Sequence, residues 1–289
     1  MEIKKAQRMK AKLRLGIAAP SGAGKTYSAL LMAFGLGGKI GMVDTEHGSG
    51  HLYAHLGDYD VISIEAPYTV TKYTQAIQAF EQAGYDTIII DSLSHAWAGD
   101  GGLLDKQGKM ADRGTNSFAA WRTITPEHNA LVDAMLRSPC HIIATMRAKQ
   151  DYVLETNDKG KQQPKKVGMA PVQREGMEYE FTVMLDVDMQ HVASASKDRT
   201  SLFDGRYFRI SKETGVELLA WLEDGVAGPD VKAILEGVSK SATLELLRSN
   251  YEAAMLMLPE TQHPAINRAK NTRRKEIDPA FLPPQKEAA

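Results

Sequence analysis

The sequence predicts an α/β fold: a mostly parallel, twisted sheet flanked by helices, with an antiparallel extension and a small helical region at the C-terminal end. Three observations carry this expectation. Short apolar runs alternate with segments of helical periodicity through the first half of the chain. One run, YDTIIIDS at residues 85–92, holds three consecutive isoleucines, the pattern of a strand covered on both faces. After Ala148 the alternation stops, and a polar stretch leads into shorter strand-like runs joined by turns. Strands alternating with helices imply parallel neighbours joined by right-handed crossovers.

Each element has its own signal. Residues 13–19 (LRLGIAA) read as a short buried strand, and a helix opens inside SGAGKT and continues through TYSALLMAFGL. KIGMVDT, residues 39–45, is an apolar run ending in acid, hence a second strand. VTKYTQAIQAFEQAG carries Ala76, Ile77 and Phe80 at helical spacing. The isoleucine strand follows, then a long helix over residues 118–137 and a fourth apolar strand, HIIATMRA. MEYEFTVMLDVDM, HVASASKDRT and GRYFRIS are expected as antiparallel strands. From about Glu217 the chain reads as helix, with residues 225–230 as a linker. SATLELLRSNYEAAMLML places Leu244, Leu247, Tyr251 and Met255 on one face, and the tail IDPAFLPPQKEAA is expected to fray. The expected organisation is a basic N-terminal segment (1–12), an α/β core (13–223) and a C-terminal helical region (224–289). No internal repeat is visible.

Composition narrows the class. At 289 residues, 43% hydrophobic and 25% charged, the chain reads as a soluble globular protein able to bury a core without staples. A single cysteine, Cys140, allows no disulfide within the chain and fits a reducing, cytoplasmic compartment. No apolar run reaches bilayer length, so no membrane partner is expected. The basic N-terminus lacks the unbroken apolar stretch of a signal peptide. A net charge of −1 does not advertise a polyanion partner; any such surface must come from locally placed charge.

The strongest motif is APSGAGKT, residues 19–26, which follows an apolar strand and opens a helix, the context a phosphate loop requires. Ser21, Gly22, Ala23 and Gly24 would turn backbone N–H groups toward a phosphate at the positive end of the helix. Lys25 would reach the β- and γ-phosphates of ATP, and the Thr26 hydroxyl would ligate Mg²⁺. Ala19 stands where the motif usually has its first glycine. Asp91, at the end of the isoleucine strand, is the candidate carboxylate for holding Mg²⁺ through water; alternatively it caps a helix. His51, His55 and His95 have no metal-ligand spacing with cysteine or acids.

KIGMVDTEHGSG, residues 39–50, resembles the RecA superfamily, where an acid follows the strand after the phosphate-loop helix and bacterial RecA proteins carry a similar Asp-x-Glu-His. The resemblance implies a RecA-like P-loop core with Glu46 as the general base that orients the attacking water. Asp44 is the competing carboxylate, or a residue that holds the loop. Tyr53 has the family's spacing for an aromatic against adenine, or is a core tyrosine. ASASKDRT resembles the Lys-x-Arg finger of DnaB-type helicases and RadA-type proteins, which makes Lys197 and Arg199 candidates to act on a neighbouring subunit's γ-phosphate; a solvated turn is the alternative.

Two basic segments fall where that superfamily places its DNA loops. GDGGLLDKQGKMADRGTNS carries Lys106, Lys109 and Arg113. RAKQDYVLETNDKGKQQPKKVG, residues 147–168, carries Lys159, Lys161, Lys165 and Lys166 around a turn marked by Asn157, Asp158 and Gly160. Each read alone is a mobile surface segment; together, at the two expected places, they favour nucleic acid. Thr145 stands at the strand end where RecA proteins usually carry a polar sensor. VDTEHGSG, IIIDSLSHAW and KDRT resemble the phage-encoded, RecA-like single-strand annealing ATPases. That resemblance implies ATP-dependent annealing in phage recombination, in the bacterial host cytoplasm, by a homo-oligomeric filament or ring that a single-strand binding protein could accompany. A DnaB-like ring translocase or helicase, and a switch ATPase acting on protein partners, are the rivals.

Overall fold

The computed structural model describes residues 5–156, 162–258 and 262–280, with the backbone alone for residues 150–156, 162–168, 232 and 264. The chain forms two compact units: Ala11–Glu223, and a second that joins the N-terminal segment up to Lys10 to the chain from Asp224 onward.

The first unit is an α/β sheet. Its strands are β1 (Arg14–Ala19), β2 (Ile40–Asp44), β3 (Asp60–Ser63), β4 (Thr87–Asp91), β5 (His141–Thr156), β6 (Gln162–Pro171), β7 (Val183–Val187) and β8 (Ala193–Asp198). The order is β3-β2-β4-β5-β1-β7-β8, with β6 paired to β5. All neighbours from β3 to β7 run parallel, whereas β8 is antiparallel to β7 and β6 to β5. The helices are α1 (Lys25–Leu36), α2 (Val70–Gln82), α3 (Ser94–Ala98), α4 (Leu103–Asp112), α5 (Ser117–Arg137) and α6 (Lys212–Glu223).

Period-two alternation explains why the central strands are apolar throughout. On β4, Ile88 and Ile90 enter one core with Tyr73, Ile77, Phe80, Ile124 and Leu131 of α2 and α5. Ile89 points the other way, into a core with Leu30, Met32 and Leu218 of α1 and α6. All three isoleucines are buried, each contributing roughly 1.5–3 kcal/mol of apolar transfer. Helices α1 and α6 meet closely because Gly35 and Gly215 face each other; a Cβ on Gly35 would lie 2.1 Å from the Lys212 carbonyl oxygen.

The structure departs from the sequence expectations at several elements. Residues 103–112, expected as a basic loop, form α4, with Leu103 buried beneath it. GRYFRIS is not a strand; it contributes only the bridge between Ala193 and Phe208. Residues 177–180 make a 3-10 turn before β7 begins. Helix α6 starts at Lys212, ahead of the expected Glu217. Strand β3 was unanticipated because its four residues, DVIS, are too few and too polar to signal one. The fourth apolar strand continues past Ala148 into a hairpin with β6, where a flexible insertion was expected. Asn157, Asp158, Gly160, Lys159 and Lys161 lie outside the described residues.

The second unit holds α7 (Val231–Ser239), α8 (Leu244–Met257) and α9 (His263–Ile277). Val238, Leu247, Ala254, Leu258 and Ile266 form its core, with Tyr251 and Met255 packed against it; Leu244, expected on that face, stays exposed. Asp230 caps α7 and Thr243 caps α8 through their side-chain oxygens. The N-terminal segment belongs to this unit through a bridge from Met9 to Val226 and an Arg8–Asp224 ion pair of 2.8 Å.

Candidate active site

Parallel strands place their C-terminal ends along one edge of the sheet, where open α/β sheets carry their ligand sites. A pocket there is lined by Ser21, Gly22, Gly24, Lys25, Thr26, Glu46, Ser49, Tyr53, Asp91 and Arg147, among others. These residues come from several different turns. β1 feeds the loop before α1, in which Gly22 and Gly24 have φ of 82° and 86°. These left-handed values are ones an L side chain rarely adopts, and they let the loop turn sharply at the edge of the pocket. Ala23 is buried beneath the loop. Ala19 closes β1, its carbonyl oxygen 3.3 Å from the Lys25 Nζ, which also donates to Pro20 at 3.1 Å. Burial lowers the Lys25 pKa, an effect that Asp91 and Glu46 oppose.

Asp91 closes β4 and is fully buried. Thr26 donates to its Oδ2 at 2.6 Å and Thr145, from β5, donates to its Oδ1. Burial nevertheless raises the pKa of Asp91, against the hydroxyl hydrogen bonds that lower it. Among the described residues both hydrogen bonds to this buried carboxylate come from neutral hydroxyls, an environment in which a hard, oxygen-seeking ion would compensate the buried charge.

At the end of β2 and just beyond it, the carboxylates separate by role. Asp44 is buried, accepting the Glu46 N–H at 2.7 Å and the Gly50 N–H at 3.0 Å. It therefore shapes the 46–50 turn. Glu46 faces the pocket. Ser92 Oγ donates to its Oε1 at 2.9 Å, and Arg147 forks onto both oxygens, Nε to Oε1 at 3.0 Å and Nη2 to Oε2 at 2.6 Å. Burial pushes the Glu46 pKa up, but the Arg147 and Ser92 hydrogen bonds and the Arg147 charge outweigh it and hold the carboxyl below its ordinary value. Behind these groups Thr45 ties the strand ends together, its N–H donating to the Asp91 carbonyl at 2.7 Å and its hydroxyl 2.7 Å from His95 Nδ1. Tyr53 sits on a 3-10 turn, Ser49–Leu56, edge-on to Tyr27 with ring centroids 6.0 Å apart.

The remaining sequence candidates lie elsewhere. Lys197 is on β8 and Arg199 just beyond it, and neither lines the pocket. Lys197 Nζ donates to the carbonyls of Glu178 and Tyr179, and Arg199 donates to that of Tyr179 at 3.1 Å. On α4, Lys106 pairs with Glu127 at 2.5 Å and Lys109 with Asp105 at 2.6 Å, so both charges are locally balanced; Arg113 closes that helix, exposed. Lys165 and Lys166 lie on β6, opposite Val153 and Tyr152. Arg147 and Ser92 are the site residues that motif reading passed over. A signal was present: Arg147 is two residues past Thr145, and alternate residues of a strand share a face.

Comparison with known families agrees with this geometry. Residues 11–215 match a family described as an AAA domain. No curated protein matches the chain. The family match covers most of the first unit and contains every residue that lines the pocket. The chain belongs to the AAA-domain family, as an ATP-binding and ATP-hydrolysing P-loop NTPase.

Proposed function

We propose that the chain hydrolyses MgATP at this pocket through a RecA-like arrangement and couples the cycle to single-stranded DNA. The observation that carries the site is the convergence of Lys25, Thr26, Asp91 and Glu46 from three strand ends on one pocket. The loop of residues 19–26 wraps the phosphates, with Lys25 on the β- and γ-oxygens. The donor set fits magnesium, with the Thr26 hydroxyl as direct ligand and the Asp91 carboxylate behind it. Bound there, the ion would neutralise charge that develops on the phosphate oxygens. Glu46 orients water and accepts its proton; a positioned base of this kind contributes typically 10²–10⁴-fold. Tyr53 lies against the adenine.

The DNA reading rests on one shared strand. β5 passes Thr145 and Arg147 at the pocket and then enters the hairpin with β6 that carries Lys165 and Lys166. A ligand bound on that hairpin acts on the same strand that touches Asp91 and Glu46. Lys159, Lys161, Lys165 and Lys166 contact phosphates without reading bases, and Lys106, Lys109 and Arg113 are a second, weaker surface. Annealing in phage recombination is the finest form of this reading, with Lys197 and Arg199 completing a neighbour's site in a filament or ring. The AAA-domain match supports a ring translocase or a switch acting on protein partners better than it supports annealing, so the DNA arm needs its own test. Binding of labelled single-stranded DNA is measured with and without MgATP, in the native chain and in Lys25→Ala. The reading expects salt-sensitive binding that responds to ATP only in the native chain. ATP turnover with no DNA binding at low salt would move the function to a protein-directed switch.

A further inference from the structure

The turn that joins β7 to β8 reaches back over the phosphate loop. His191, on that turn, places its Nδ1 3.1 Å from the Ala23 carbonyl oxygen. A carbonyl oxygen only accepts, so the ring donates from Nδ1–H. The ring also covers Gly24, where an added Cβ would lie 3.4 Å from the same nitrogen. Gly24 lines the pocket, whereas Ala23 and His191 stand outside it.

The turn is shaped to hold the ring there. His191 has a φ of 63°, a left-handed value that is uncommon for residues with a Cβ and that Asn, Asp and His enter more readily than most. Asp188 fixes this conformation through both side chain and backbone. Its Oδ1 accepts the N–H groups of Gln190 and Val192, each at 2.9 Å, and its carbonyl accepts the His191 N–H at 3.0 Å. Residues 188–191 are exposed, so these bonds, rather than burial, keep the imidazole against the loop.

What the contact does follows from the peptide plane. A trans peptide is planar, and its C=O and N–H point in opposite directions. His191 takes the oxygen of the Ala23–Gly24 peptide from outside the pocket, so the Gly24 N–H of the same plane is directed away from the ring. A plane flanked by glycine turns over at little cost, because glycine populates positive and negative φ about equally. Anchoring the oxygen opposes that rotation. A donor on the oxygen also polarises the plane and strengthens its N–H as a donor.

We propose that His191 is a positioning residue for nucleotide binding, which holds and polarises the Ala23–Gly24 peptide from behind so that the Gly24 N–H meets the phosphates common to ADP and ATP. Backbone N–H groups of a phosphate loop cradle those phosphates. The inference rests on residues 19–26 being that loop.

The test compares two substitutions that both suit the positive φ. The amide of His191→Asn brings an N–H close to the place of Nδ1, and His191→Gly removes the donor. Calorimetry with magnesium measures the affinity of ADP and of a non-hydrolysable ATP analogue for each. His191→Gly should weaken both nucleotides alike, about threefold to tenfold, and His191→Asn should stay within about twofold of the native chain. Thermal unfolding without nucleotide shows that each variant is folded, so a lost affinity is not a lost fold. The second readout is the Gly24 amide proton in the nucleotide-free, ¹⁵N-glycine-labelled chain. It should move upfield in His191→Gly and return in His191→Asn, a response that a purely structural side chain would not give. If His191→Gly fails to fold, His191→Ala takes its place. Native affinity in His191→Gly, equal losses in the two variants, or a Gly24 resonance that stays put would each overturn the proposal. Lys25→Ala reports on the loop itself: unchanged nucleotide binding there would overturn the phosphate-loop assignment, and the role of His191 with it.

Discussion

At the scale of single residues, partners rather than residue types decide roles. Asp44 and Glu46 are both carboxylates at the end of β2, and two backbone N–H groups occupy Asp44 while Glu46 faces the pocket. His141 shows the same dependence through pH. It opens β5 buried, its Nδ1 accepting the Leu13 N–H at 3.1 Å and its Nε2 lying 3.4 Å from Lys12 Nζ. Burial, with the charges of Lys12 and Arg14, brings its pKa down to about 4. The folded chain thus keeps His141 neutral while the unfolded chain protonates it below roughly 6.5. The unfolded state binds the extra proton, so this contribution is complete above pH 6.5 and lost as pH falls toward 4, by up to about 3 kcal/mol. His141→Asn keeps an acceptor for Leu13 and does not titrate. Urea unfolding at pH 7 and pH 5 should show the native chain losing about 2 kcal/mol more than the variant; equal losses would contradict the assignment.

At the scale of elements, legibility followed the demands of chemistry and burial. The phosphate loop was readable because phosphate binding fixes a strand, a turn and a helix start within roughly eight residues. β4 was readable because burial on both faces leaves no room for a polar position. The Arg147–Glu46 fork was not, since its partners are 101 residues apart and no local pattern links them. α4 was missed because its helix-forming residues are interleaved with Gly108 and charge, and only Leu103 is buried. Its lysines looked free in sequence and are ion-paired in the fold. The hairpin beyond Ala148 was missed because cross-strand pairing satisfies its backbone without the apolar run that had signalled the strand up to that point. If this hairpin is the DNA surface, replacing Lys159, Lys161, Lys165 and Lys166 with alanine should weaken single-stranded DNA binding for all sequences alike. The slope of log affinity against log salt should flatten by about 0.7 for each phosphate that the variant no longer neutralises. An unchanged slope would place the DNA elsewhere.

At the scale of the whole molecule, the candidate finger residues Lys197 and Arg199 lie outside the pocket. If they complete the site of a second copy, ATP favours assembly by linkage. Arg199→Ala and Glu46→Gln subunits, each inactive alone, should then recover activity when mixed, since one interface pairs an intact finger with an intact base. No recovery in a mixture shown by light scattering to co-assemble would confine Lys197 and Arg199 to their own subunit's surface. The central claim is that Glu46, just past the end of β2, activates water for a phosphate that Lys25 would hold, beside a magnesium site at Thr26 and Asp91. The most direct measurement is single-turnover ATP hydrolysis, alongside ATP binding, in Glu46→Gln and Asp44→Asn. The account predicts that Glu46→Gln binds ATP as well as or better than the native chain and hydrolyses it roughly 10²–10⁴-fold more slowly. Asp44→Asn hydrolysing slowly with binding intact, while Glu46→Gln turns over normally, would contradict it.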